Sequence, residues 1–103
     1  MLFLRLNDKK LKIKDGRGLL SGTIGLMFND MSKIDGCLIK TNSIHTAFCK
    51  PLDLLWLDDG FRVIEVQKTK GFGVYSCRKA KYCLELGQGL VKARNGMKSE
   101  ITM

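Results

Sequence analysis

The stretch Asp53-Leu-Leu-Trp-Leu-Asp-Asp-Gly-Phe-Arg-Val-Ile-Glu-Val-Gln67 decides the fold class. It reads as two β runs, Asp53–Asp58 and Phe61–Gln67, joined through Asp59-Gly60. An Asp-Gly pair between β-rich runs is a strong short-range hairpin signal, because both residues tolerate the positive φ of a tight turn. Pro51, the only proline, has no amide hydrogen to give a sheet and should end one of the two β runs between which it stands.

Outward from this hairpin the β pattern continues. Before it, the Asp35-Gly36 turn leads into Cys37–Lys40 and then Ile44–Cys49, two further candidate strands. At the start of the chain, Leu2–Leu6 and Leu11–Lys14 form a candidate hairpin, the second alternating apolar and basic residues as a strand with one wet face does. After it, residues 68–73 read as a polar, glycine-containing loop and Ala80–Leu86 as a strand. Gln88–Asn95 has the apolar spacing of a two-turn helix with Gly96 as its cap, and Gly96–Met103 is a short final strand or a tail. Gly18–Phe28 has rough helical spacing, weakened by Gly18, Gly22 and Gly25 at about 1 kcal/mol each. The expected architecture is a single mostly β (α+β) domain over 1–103, a small barrel or sandwich with one or two short helices.

Composition narrows the function classes. No apolar run approaches the ~20 residues that span a bilayer, so membrane insertion is not expected. The first residues lack the long apolar core of a signal peptide, which reads as a cytoplasmic protein. Cys37, Cys49, Cys77 and Cys83 form no C-x-x-C pair, and each sits in or beside an apolar stretch. They read as small buried hydrophobes, with no disulfide expected.

The net charge of +8 is uneven: residues 1–67 carry ten Lys/Arg against eight Asp/Glu, residues 68–103 eight against two. A basic face of this kind suits nucleic acid or another anionic partner, or simply keeps the chain solvated.

The densest chemistry lies in 42–53, which holds the only histidine, a cysteine and a carboxylate. Strand alternation puts Ser43, His45 and Cys49 on one face. A nucleophile–base pair of Cys49 and His45 would have to bridge ~13 Å along one strand, as would a zinc site of His45, Cys49 and Asp53. A pocket for a small polar ligand asks less of the geometry, and its candidate residues are Ser43, His45, Thr46, Asp53 and Glu85. Alternatively His45 and Asp53 serve the fold, one as a satisfied structural histidine and the other pinning the turn after Pro51. No metal and no cofactor are implied. A hydrolase-like enzyme using His45 with Asp53 or Cys49 is a further alternative.

The same motifs carry a resemblance. Gly25-Leu-Met-Phe28, Asp35-Gly36, Asn42-Ser-Ile-His-Thr46 with Pro51-Leu-Asp53, Asp59-Gly60 with Arg62-Val63, Tyr82-Cys-Leu-Glu-Leu86, and Gly96 with Glu100 follow one another in a fixed order. In that order they resemble domain-of-unknown-function family 192, also catalogued as uncharacterised protein family 0127, over roughly residues 17–103. Cys49 stands where the family commonly has methionine, and Cys83 where it commonly has valine. The resemblance implies a compact β-rich fold with short helices and no established activity.

Lys70-Gly-Phe-Gly-Val-Tyr75 is similar to the start of the RNA-recognition-motif signature. At least three strands lie between it and the faint companion strand at Leu2–Asn7, which excludes that fold. A looser nucleic-acid reading remains, with Phe72 and Tyr75 stacking bases while Lys68, Lys70, Arg78, Lys79 and Lys81 meet phosphates.

Overall fold

A computed structural model describes residues 2–6, 9–15, 35–46, 52–69 and 73–102. Among these it contains nine strands and no helix. They are β1 (Leu2–Leu6), β2 (Lys9–Asp15), β3 (Gly36–Ile39), β4 (Ser43–Thr46), β5 (Leu52–Leu57), β6 (Val63–Lys68), β7 (Gly73–Ser76), β8 (Tyr82–Gly87) and β9 (Ser99–Thr102). Seven form one curled sheet in the order β6-β5-β8-β3-β2-β1-β9, and β4 and β7 form a separate two-stranded ribbon. All pairings are antiparallel except β2 with β3.

The sheet curls until the residues leading into its edge strands β6 and β9 meet. The Val63 amide donates to Met97 O at 2.7 Å, the Gly96 amide donates to Val63 O at 2.7 Å, and Arg62 bridges Lys98. These bonds cover backbone groups that would otherwise stand open at the sheet edges. Inside the curve lies one apolar cluster that includes Leu4, Leu6, Leu11, Ile13, Leu38, Leu55, Leu57 and Leu84. On the outer side of β3, β5 and β8 lies a second, made of Cys37, Ile39, Leu52, Leu54, Trp56 and Cys83, and the ribbon covers it through Ile44 and Tyr75. The central strands are therefore buried on both faces: every residue of Gly36–Ile39 and Leu52–Leu57 is buried.

The expected strands at both ends of the chain, and those at 37–40, 53–58 and 80–86, are present with boundaries shifted by at most three residues. Of the expected strand Ile44–Cys49, the described part is Ser43–Thr46. The Asp59-Gly60 hairpin is wider than a two-residue turn, since Leu57 pairs with Val63. Asp58 sets this width. Its Oδ1 accepts from the amides of Gly60 and Arg62, both at 2.9 Å, its carbonyl accepts from the Phe61 amide at 3.0 Å, and Phe61 takes φ 65°.

Residues 88–95 run as turns where helical spacing had suggested a helix. Gly89 has φ 81°, outside the helical region, and its amide donates to Asp53. Leu90, Val91 and Ala93 nevertheless pack against the inner cluster. Their apolar spacing served packing, not helix formation. The expected helix at 18–28 lies outside the described residues, as does Pro51.

Candidate polar cluster beneath the ribbon

Two carboxylates nominated by the sequence are buried in the sheet, Asp53 at 5% exposure and Glu85 at 4%. They do not share a site. On β5, Asp53 alternates with Leu54, Asp53 falling on the side of Leu55 and Leu57 and Leu54 on the side of Trp56. Glu85 is the cross-strand partner of both Leu54 and Cys37, so it belongs to the outer face. The Asp53 carboxylate points inward, where its Oδ2 accepts from the Gly89 amide at 3.0 Å while Oδ1 has no partner.

The outer face is organised in two rows under the ribbon. One row runs Cys37–Glu85–Leu54–Gln67 and the next Ile39–Cys83–Trp56–Glu65. Trp56 is thus the diagonal neighbour of both Glu85 and Gln67, with backbones ~7–8 Å apart. Three buried polar atoms on this face have no hydrogen-bond partner: Glu85 Oε1, Gln67 Oε1 and Trp56 Nε1. The Gln67 amide is fixed the right way round, because its Nε2 donates to two acceptors, Glu65 Oε2 and, at 3.1 Å, Ser76 O on β7. That leaves its oxygen as the unpaired end.

Burial removes the water that would solvate a carboxylate, and the Glu85 carboxyl is pushed up from 4.5 to about 7. The same burial, with Glu85 opposite, pushes the Cys37 thiol up to about 12 and raises Cys83 well above its ordinary value. Cys37, Cys77 and Cys83 are free thiols. Near neutral pH the cluster therefore contains protonated thiols and a carboxyl divided between its acid and its anion.

The remaining nominated residues are dispersed. Ser43 is exposed on β4. His45 and Thr46 pair through the backbone with Val74 and Gly73 of β7. The ribbon packs on the outer face of the sheet, so the sheet stands between β4 and the Asp53 carboxylate. Cys49 lies outside the described residues, as do Lys70 and Phe72. Tyr75 is half-buried against the outer cluster and is not an open stacking surface. Lys68 pairs with Asp53 at one end of β5, whereas the Lys81 amide donates to Leu57 O at the other, with Arg78 and Lys79 in the turn before it. The described cations Lys68, Arg78, Lys79 and Lys81 are thus split by the length of β5. No group of three His, Cys, Asp or Glu among the described residues is placed to hold a metal ion.

Trp56 and Gln67 carry no mark in the sequence as members of a site, and Cys37 reads there only as a small buried hydrophobe. The signal was there in one form: an acid inside Tyr82-Cys-Leu-Glu-Leu86, a run that the fold buries almost throughout. No protein-family model matches the chain, and no curated protein and no solved structure is significantly similar to it.

Proposed function

We propose that the protein is a small binding module whose recognition site is the polar cluster on the outer sheet face, beneath the β4–β7 ribbon and centred on Glu85. The observation that carries this reading is the set of unpaired buried atoms Glu85 Oε1, Gln67 Oε1 and Trp56 Nε1. Each buried polar group without a partner costs roughly 1–3 kcal/mol, which a ligand supplying the partner recovers. The indole N–H asks for an acceptor, and the glutamine oxygen asks for a donor. The Glu85 carboxyl, pushed up to about 7, can give or take a hydrogen bond at neutral pH. The matching ligand is small, uncharged and planar, with a carbonyl flanked by N–H groups, as in a lactam or cyclic imide.

Membership of domain-of-unknown-function family 192 and a barrel-like closure of the sheet belong to the same proposal. In support of the first, Asp35-Gly36 opens β3, Asp59-Gly60 lies in the β5–β6 turn, and Tyr82–Leu86 lies within β8.

The test uses the single tryptophan of the chain, whose indole N–H gives one resolved ¹⁵N–¹H peak. Titration with uracil, and with δ-valerolactam as a simpler probe, is expected to shift that peak saturably, and Glu85→Leu is expected to abolish the shift. An indole peak unmoved by millimolar amounts of both probes would overturn the reading.

A further inference from the structure

At the β1–β9 pairing, away from Glu85, lies a cavity of about 170 Å³ lined by Arg5, Met97, Lys98 and Glu100. Its backbone frame is fixed. Arg5 and Glu100 face each other across β1 and β9, which sets their Cβ atoms about 5 Å apart. Lys98 bridges Arg62, the Met97 carbonyl accepts from the Val63 amide at 2.7 Å, and the Ser99 hydroxyl donates to Phe61 O at 2.7 Å. The Met97 thioether is held as well, since its sulfur accepts from the Arg94 amide at 3.1 Å.

The charges around this cavity are not spent on one another. Arg5, Lys98 and Glu100 are exposed, and among the described residues no ion pair links either cation to the acid. The neighbouring lysines are engaged elsewhere: the Lys10 ammonium lies 4.8 Å from the Phe3 ring centroid, and the Lys9 ammonium donates to Leu90 O.

Two cations and one acid around one cavity define the ligand. A phosphate or a plain dicarboxylate would satisfy the cations and be repelled by Glu100, and a diamine would do the reverse. A molecule with two carboxylates and one ammonium pairs all three, and its methylene carbons lie on the Met97 thioether. We infer that the cavity binds an acidic amino acid, aspartate or glutamate. Arg5 grips the α-carboxylate with its planar fork, next to Glu100, which accepts from the ammonium one carbon away. Lys98 takes the side-chain carboxylate as a point charge. The size agrees: a cavity of roughly 150 Å³ holds one benzene molecule, so this one takes an acidic amino acid with one end in solvent.

Methyl-¹³C labelling of the five methionines of the full chain tests the inference, with Met97→Leu identifying the Met97 peak. At low salt, L-aspartate or L-glutamate is expected to shift that peak saturably at millimolar concentration. Arg5→Gln, Lys98→Gln and Glu100→Gln should each weaken the tighter of the two about three- to tenfold, between the worth of an exposed and of a desolvated charge pair. The matching dicarboxylate that lacks only the ammonium, succinate or glutarate, should bind wild type about threefold more weakly or worse, and Glu100→Gln should close that gap. Lys79→Gln with Lys81→Gln removes charge elsewhere and should leave affinity unchanged.

The inference fails if neither amino acid moves the Met97 peak, if the matching dicarboxylate binds wild type equally well, or if the cavity variants weaken binding no more than the 79/81 pair. Inorganic phosphate binding more tightly than both amino acids would overturn it in favour of a plain anion site. The uracil titration of Trp56 stays unchanged in the cavity variants, and the amino-acid shift of Met97 persists in Glu85→Leu, so the two proposals fail separately.

Discussion

Substituting Glu85 by glutamine should make the protein more stable, but only above a definite pH. The Glu85 carboxyl sits at about 7 in the folded chain against 4.5 for the ordinary group, the cause being burial. A group whose folded value is raised binds its proton more tightly in the native state. Its stabilising contribution is complete below pH 4.5 and is lost as pH climbs through 7. At about 1.4 kcal/mol for each pH unit between the two values, the loss amounts to about 3 kcal/mol. Glutamine keeps the shape and never ionises. Glu85→Gln and wild type should therefore be nearly equal at pH 4.5, and the variant should gain steadily to about 3 kcal/mol by pH 8. In urea unfolding this is a midpoint shift of roughly 1–3 M. The measurement is the difference between the two proteins at each pH, which cancels every other titrating group. A difference that stays constant from pH 4.5 to 8.5 would refute the reasoning, as would a Glu85 side-chain carboxyl resonance titrating below pH 5.

Further outcomes follow from the same geometry. Gly36→Ala should destabilise by about 1–3 kcal/mol or more in urea melts, because an added Cβ would lie 2.2 Å from Glu85 O and 2.6 Å from a Leu86 methyl carbon. Asp58→Ala should cost about 1–2 kcal/mol by the same assay, since it removes the acceptor of two amides that shape the β5–β6 turn. Gly96→Ala should cost about 1 kcal/mol through backbone strain alone: φ is 91° and nothing lies within 4 Å of the added carbon. Cys37 and Cys83 should stay unlabelled by a thiol disulfide reagent at pH 8 in the folded protein and react after unfolding, as peptide mapping would show.

The strand pattern was legible wherever a turn residue stood between two β runs, as at Asp35-Gly36 and Asp59-Gly60. It failed where the turn was built by a side chain. The Asp58 carboxylate holds two amides and delays β6 to Val63, which a reading of Asp59-Gly60 alone does not foresee. It failed again at Gly73–Ser76. Two glycines in Gly71-Phe-Gly73 suggest a loop, yet Gly73–Ser76 pairs with β4, a partner more than twenty-five residues away that no local pattern marks. At 88–95 the apolar spacing was real and the secondary structure was not, because Gly89 turns the backbone while Leu90 and Val91 still reach the core.

The site was harder to read for a reason that lies in the sheet. A strand with one wet face announces which residues share a side, as Leu11-Lys-Ile-Lys14 does. Strands β3, β5 and β8 are buried on both faces, so polar and apolar residues no longer alternate and the sequence loses its marker of side. Asp53 and Glu85 both read as acids in apolar runs and could be imagined in one pocket. Register alone separates them: Asp53 pairs with Leu86 and Leu54 with Glu85, and one step along the strand reverses the face. That step sends Asp53 inward to Gly89. It sends Glu85 to the outer face that also carries Trp56 and Gln67, where Glu85 Oε1, Gln67 Oε1 and Trp56 Nε1 are each buried without a hydrogen-bond partner.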